Sequence, residues 1–168
     1  MADFTKLPSF SQGGDLLVVV ESPGGSGLKL KYDPELGVFL FHRALPLGLV
    51  YPYDWGFVPS TLAEDGDPLD AMVVADVPSH PGVVIECQPI AVLELGQKSK
   101  RGGRERNDRV LAVPARLERS HRALTPRQKT EIERFFLGAV MFADKDARIL
   151  GWKGVGAARK LIARSRKT

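Results

Sequence analysis

The chain has 168 residues, 43% of them apolar, and carries 24 Lys and Arg against 20 Asp and Glu, for a net charge of +4. That length suits one domain with a single core over 1–168, and no apolar run approaches the ~20 residues that span a bilayer. The lone Cys87 excludes an internal disulfide and a multi-cysteine zinc site. The N-terminus lacks the basic start, apolar stretch and cleavage site of a signal peptide, so a reducing, cytoplasmic setting is expected.

Strands come first along the chain. "LLVVVE" (Leu16–Glu21), the alternating "LKLKY" (Leu28–Tyr32) and "VFLFH" (Val38–His42) are separated by the turn sequences "PGGSG" and "DPELG". A loop rich in proline and aromatic residues, Leu45–Ser60, leads to the acidic turn "AEDGDPLD". Further strands are predicted at Ala71–Asp76, at Gly82–Leu95 with an interruption at Pro89, and at Arg109–Val113. Helix appears late. Thr125 is a predicted N-cap, with Pro126 at the first helical position and Gln128 completing a capping box. Ile132, Phe135, Phe136, Ala139 and Val140 then define one apolar face. A basic amphipathic helix follows from about Gly156 to Arg166, with Leu161 and Ile162 inward. Short strands followed by two helices point to a small β-barrel with helices packed on it.

The positive charge is concentrated in Gln97–Arg109 and in the tail Ala158–Thr168. Such clusters suit phosphates or nucleic acid, but solvated charge on a loop and a helix face is the favoured reading. The sequence has no GxSxG elbow and no Walker A motif, and "GWKGVG" lacks the Lys-Ser/Thr that would follow. His42, His80 and His121 have no metal-ligand spacing. An EF-hand loop starting at Asp65 fails, because Leu69 and Asp70 stand where a ligand and a glycine are needed.

The acidic turn itself demands an explanation. Asp65, Asp67 and Asp70 fall within six residues, just before an apolar run. At about 4 Å and an effective dielectric near 20, two carboxylates repel by roughly 4 kcal/mol. Three carboxylates on a tight turn suit Mg²⁺, which takes a few carboxylates together with water and phosphate oxygens. Gly66 lets the turn tighten and Pro68 biases Asp67 towards extended backbone. Lys29, Lys31 and Arg43 lie upstream with the donor types that grip phosphate, and Glu21 ends the first strand on the metal side.

"VVVESP", "LGVFLFHR", "YPYDWGFVPSTLAEDGDPLDAMVV", "PGVVIECQPIAVLEL" and "RVLAVP", in that order, resemble the soluble family I inorganic pyrophosphatases over about Val18 to Pro114. The resemblance implies an α+β, mainly β fold: a five-stranded OB-like barrel with flanking strands and two C-terminal helices. It also implies Mg²⁺-dependent hydrolysis of pyrophosphate and a homo-oligomer. By resemblance, Asp65 and Asp70 would ligate activating metals and Asp67 would orient or deprotonate the attacking water. Lys29 and Arg43 would hold phosphate oxygens, Glu21 would support a further metal, and Tyr51 would line the pocket.

Several positions depart from the family pattern. Lys31 stands where a carboxylate is usual, and Trp55 replaces a phosphate-contacting tyrosine. Gln97 and Asn107 align with acidic metal ligands, Arg109 aligns with a lysine, and Ala139-Val140 replaces a Tyr-Lys pair. Asp108 substitutes for one ligand if the loop register shifts. Metal binding should therefore concentrate on the acidic turn, with Asn107 the amide remnant of a further site and Trp55 and Arg109 facing substrate. Three functions follow. They are a slow Mg²⁺-dependent pyrophosphatase, a relative acting on or binding another phosphate compound, and a non-catalytic binding protein. Nucleic acid ranks last as a partner, because OB-like barrels that bind single strands present several stacking aromatics on one face.

Overall fold

The computed structural model describes residues 2–116 and 123–167, so His121 lies outside the described residues. A short 3₁₀ turn, Phe4–Lys6, precedes β1 (Leu16–Ser22), β2 (Leu28–Asp33), β3 (Val38–Ala44), β4 (Asp54–Phe57) and β5 (Asp70–Val73). Then come β6 (Val84–Lys98), β7 (Arg104–Arg106), β8 (Arg109–Pro114), α1 (Pro126–Ala139), β9 (Arg148–Lys153) and α2 (Val155–Ser165).

Five strands close on themselves. β1 pairs with β4, β4 with β5, β5 with β8 and β8 with β6, and β6 returns to β1. Only β5–β8 is parallel among these pairs. The result is the five-stranded OB-like barrel expected from the sequence. β7 and β9 extend β6, and β2–β3 forms a separate antiparallel ribbon.

The apolar runs of β5 and β8 reflect cover on both faces. Met72 and Leu111 enter a cluster with Ile132, Phe135 and Phe136 of α1. Their neighbours Ala71, Val73, Val110 and Ala112 enter another with Ala158, Leu161 and Ile162 of α2. Each large side chain removed from water in this way contributes about 1.5–3 kcal/mol relative to an exposed one, so the two helices are held mainly by the sheet faces they cover. α1 also starts as its sequence demands. The Thr125 hydroxyl accepts from the Gln128 amide at 3.2 Å, and the Gln128 side chain accepts from the Thr125 amide at 2.9 Å.

Three strands lie where the sequence reading placed none. β4 falls inside the predicted loop 45–60: it has only four residues, includes Gly56, and is wholly buried. It is fixed partly by Asp54, which accepts from the Gly24 amide at 2.9 Å and from the Ser79 hydroxyl at 2.6 Å. β7 is three charged residues at the sheet edge, and β9 carries Gly151 at φ 149°, so neither shows a clean alternation. Pro89 does not end β6. A register shift between Pro89 and Ala91 absorbs it and the strand runs on for 15 residues.

Candidate active site

The acidic turn is a compact loop between β4 and β5. The Ala63 amide donates to the Asp67 carbonyl at 2.8 Å, the Gly66 amide to the Ala63 carbonyl at 3.1 Å, and Gly66 takes φ 88°, a left-handed conformation suited to glycine. The buried Thr61 hydroxyl anchors its far end by accepting from the Leu69 amide at 2.9 Å. Asp70 opens β5. Because β5 and β8 run parallel with Ala71 opposite Val110, the residues just before them, Asp70 and Arg109, come side by side.

The β2–β3 ribbon supplies the opposite wall. Lys29 faces Arg43 across it. Two side chains at the end of β1 tie the ribbon down: Ser22 accepts from the Leu30 amide at 2.9 Å, and Glu21 accepts from the Tyr32 amide at 2.8 Å.

Ribbon and turn enclose a cavity of about 550 Å³, which Glu21, Lys29, Lys31, Arg43, Trp55, Asp65, Asp67, Asp70, Gln97, Asn107 and Arg109 all line. Every site residue predicted from the sequence except Tyr51 reaches this one space. Tyr51 is buried behind Trp55, stacked on its ring at 6.3 Å and packed against Phe135 at 4.9 Å, and does not line the cavity. Of the pair aligned with Tyr-Lys, Val140 lines the cavity while Ala139 packs in the core. The sequence also did not single out Lys100 and Lys145, which reach the cavity from the loops after β6 and α1.

The charges are already partnered within the chain. The Lys31 ammonium lies 2.9 Å from Asp67. Arg109 pairs with Asp70, donates to the Asn107 side chain at 2.6 Å, and lies 5.0 Å from the centroid of Trp55 and 5.4 Å from that of Phe136. Asn107 in turn donates to Gln97 at 3.1 Å, and Gln97 to Glu105 at 3.2 Å. The positions expected to carry acidic metal ligands thus form a hydrogen-bonded chain of amides. Asp108, the alternative ligand, is engaged elsewhere: it pairs with Arg106 at 2.9 Å, and Arg106 also holds Glu94 at 2.6 Å.

Burial shapes the electrostatics. It pushes the Glu21 carboxyl up to about 7, with Asp70 adding to the rise. Burial also raises Asp70 against the opposing pull of Arg109, and lowers Lys29. Lys31 is raised instead, because the hydrogen bond and charge of Asp67, with help from Glu21 and Asp70, outweigh its desolvation. At Glu21, Asp70 and Lys29 burial dominates and disfavours the charged form, whereas at Lys31 the partner prevails.

Among the described residues no three carboxylates, imidazoles or thiols are arranged as a ready metal cage. The donor chemistry nonetheless fits a hard divalent ion at the outer edge of the turn. Asp67 is exposed and Asp65 half-buried, both offer oxygen ligands, and Asp67 is held only by a solvent-exposed lysine.

A closed barrel that gathers carboxylates and phosphate-type cations around one cavity is the framework of a metal-dependent phosphate hydrolase. The inorganic pyrophosphatase family model matches residues 18–168, and the chain belongs to this family. It is 38% identical to an inorganic pyrophosphatase of Synechocystis sp. over 165 residues, 95% of each chain. It is 37% identical to that of Thermus thermophilus over 174 residues, 98% of each. The crystal structure of an inorganic pyrophosphatase from Thermus thermophilus superposes with a TM-score of 0.87 at 34% identity, covering 98% of this chain and 97% of that one. One from Neisseria gonorrhoeae superposes at 0.83 and 29% identity, covering 97% and 96%.

Proposed function

We propose that the protein hydrolyses inorganic pyrophosphate to two phosphates, slowly, with Mg²⁺ as the activating ion. The observation that carries this reading is the single cavity in which Asp65, Asp67 and Asp70 face Lys29 and Arg43. When bound, a divalent ion supplies neutralisation of phosphate charge and a water of lowered pKa. Asp65 and Asp67 would hold that ion, and Glu21 would support it from the end of β1. Lys29 and Arg43, opposite one another on the ribbon, bind phosphate oxygens, Arg43 with the fork geometry that suits them. Asp67 orients the attacking water and accepts its proton, which requires Lys31 to leave it. Arg109 adds a fixed positive charge at the cavity wall. Trp55 and Val140 close the wall and keep bulk water away.

The chain acts as one domain over 1–168. Its setting is the cytoplasm, consistent with the free thiol of Cys87, and no described helix is long and apolar enough to cross a membrane. It works as a homo-oligomer, with exposed Leu47, Met141 and Phe142 the surface to test. A phosphate-release assay over pyrophosphate, short polyphosphate and nucleotides, with and without Mg²⁺, tests the reading. Mg²⁺-dependent release from pyrophosphate above the others is expected. Release from another compound alone, or from none, refutes it.

A further inference from the structure

The two ion pairs in the cavity differ in kind. Lys31 and Asp67 have side chains 45% and 52% exposed, so their attraction is screened and weak. Arg109 and Asp70 are only 11% and 22% exposed. Arg109 is also clamped by the Asn107 carbonyl, the Trp55 ring and the Phe136 ring. Removing the partner from a buried charge is strongly unfavourable, because that charge is left without compensation. A metal ion arriving at Asp67 displaces a loosely held ammonium into water. One arriving at Asp70 meets the fixed positive charge of a guanidinium that makes no other ion pair among the described residues.

We propose that Arg109 is the permanent counter-cation of Asp70, so that the cavity holds one divalent ion per chain, at Asp65 and Asp67, in exchange for Lys31. The proposal rests on the reading of the cavity as a metal-phosphate site and adds its ion count. The amide pair Gln97 and Asn107 fits the same arrangement. Next to a fixed guanidinium, two neutral groups bonded to each other at 3.1 Å leave nothing on that side to attract a second cation. Lys31, released by the ion, becomes free to bind phosphate. The site therefore exchanges one protein cation and keeps the other.

The count can be measured without substrate or turnover. Equilibrium dialysis with Mn²⁺, followed by electron paramagnetic resonance, should give one bound ion per wild-type chain. Lys31→Met should leave the count at one and tighten binding by up to about fivefold, the size expected from removing a weak exposed competitor. Arg109→Met should raise the count to two. If unpaired Asp70 unfolds that variant, Arg109→Met with Asp70→Asn removes the charge and should return one ion. Two or more ions on the wild type, or none, overturns the proposal, as does a folded Arg109→Met chain that still binds one. Pyrophosphate hydrolysis is not part of this readout. A chain that binds one ion but releases no phosphate counts against the proposed function alone, and a slow pyrophosphatase with two ions counts against the ion count alone.

Discussion

Gly56 lies so close to Val19 that a Cβ added to it would stand 1.8 Å from the Val19 carbonyl oxygen. The contact is backbone to backbone, where β1 meets β4, and no side-chain rotation relieves it. Gly56→Ala should therefore destabilise at the upper end of overpacking changes, by about 3 kcal/mol or more, and disturb the adjacent Trp55. Chemical denaturation against wild type measures this. A change below about 1 kcal/mol would show that the two strands separate readily.

Turnover should be low, because cations and amides occupy positions that the family fills with carboxylates. Losing one good transition-state contact costs about 10²–10³ in kcat, and several are missing around this cavity. Phosphate release at least 10²-fold slower than an ordinary family member assayed alongside is expected, and Asp67→Asn should abolish the remainder. The combination Lys31→Glu, Gln97→Asp, Asn107→Asp, Ala139→Tyr and Val140→Lys should raise the rate. A wild type as fast as the comparison enzyme contradicts the prediction.

Trp55 forms part of the cavity wall beside Arg109, whereas Trp152 donates to Glu133 at 2.7 Å on the outer strand β9. In a Trp152→Phe chain, the fluorescence of Trp55 should change on saturation with pyrophosphate and Mg²⁺. An emission spectrum that ignores both would remove Trp55 from the binding surface.

Cys87 is fully buried, and burial, with the charge of Asp15 behind it, pushes its thiol above the ordinary value of 9.0. Folded chains keep the proton while unfolded chains lose it above about pH 9, so the unfolded state then binds fewer protons. Stability contributed here is complete below pH 9 and declines as pH rises beyond it. Denaturation of wild type and Cys87→Ala across pH 8 to 10.5 should show the steeper decline in wild type. At pH 8 a thiol reagent should label the unfolded chain and leave the native one unmodified.

What could be read from the sequence was local. The Thr125–Gln128 box spans four residues, and the acidic turn announces itself through like charges around Gly66 and Pro68. Lys29 and Lys31 were legible as neighbours, since alternation within the predicted strand Leu28–Tyr32 puts them on one face, and both line the cavity. The Arg109–Asp70 pair was not, because it arises from a parallel pairing between strands 39 residues apart, and no periodicity encodes which strands will meet. Nothing in "YPYDWGF" tells that Trp55 lines the cavity while Tyr51 packs beside it against Phe135, within the electrostatic reach of Arg43, Asp70 and Glu21.

The long strand β6 reaches beyond architecture into the order of assembly. β1, β4 and β5 can meet early as a three-stranded piece, but its two outer edges find partners only in β6 and β8. Those strands begin at Val84 and Arg109. A nascent chain that ends before Val84 therefore presents two open, apolar strand edges, and one that ends before Arg109 still presents that of β5, the feature that draws chains into mutual pairing. Ring closure must wait for contacts distant in sequence, which slows folding.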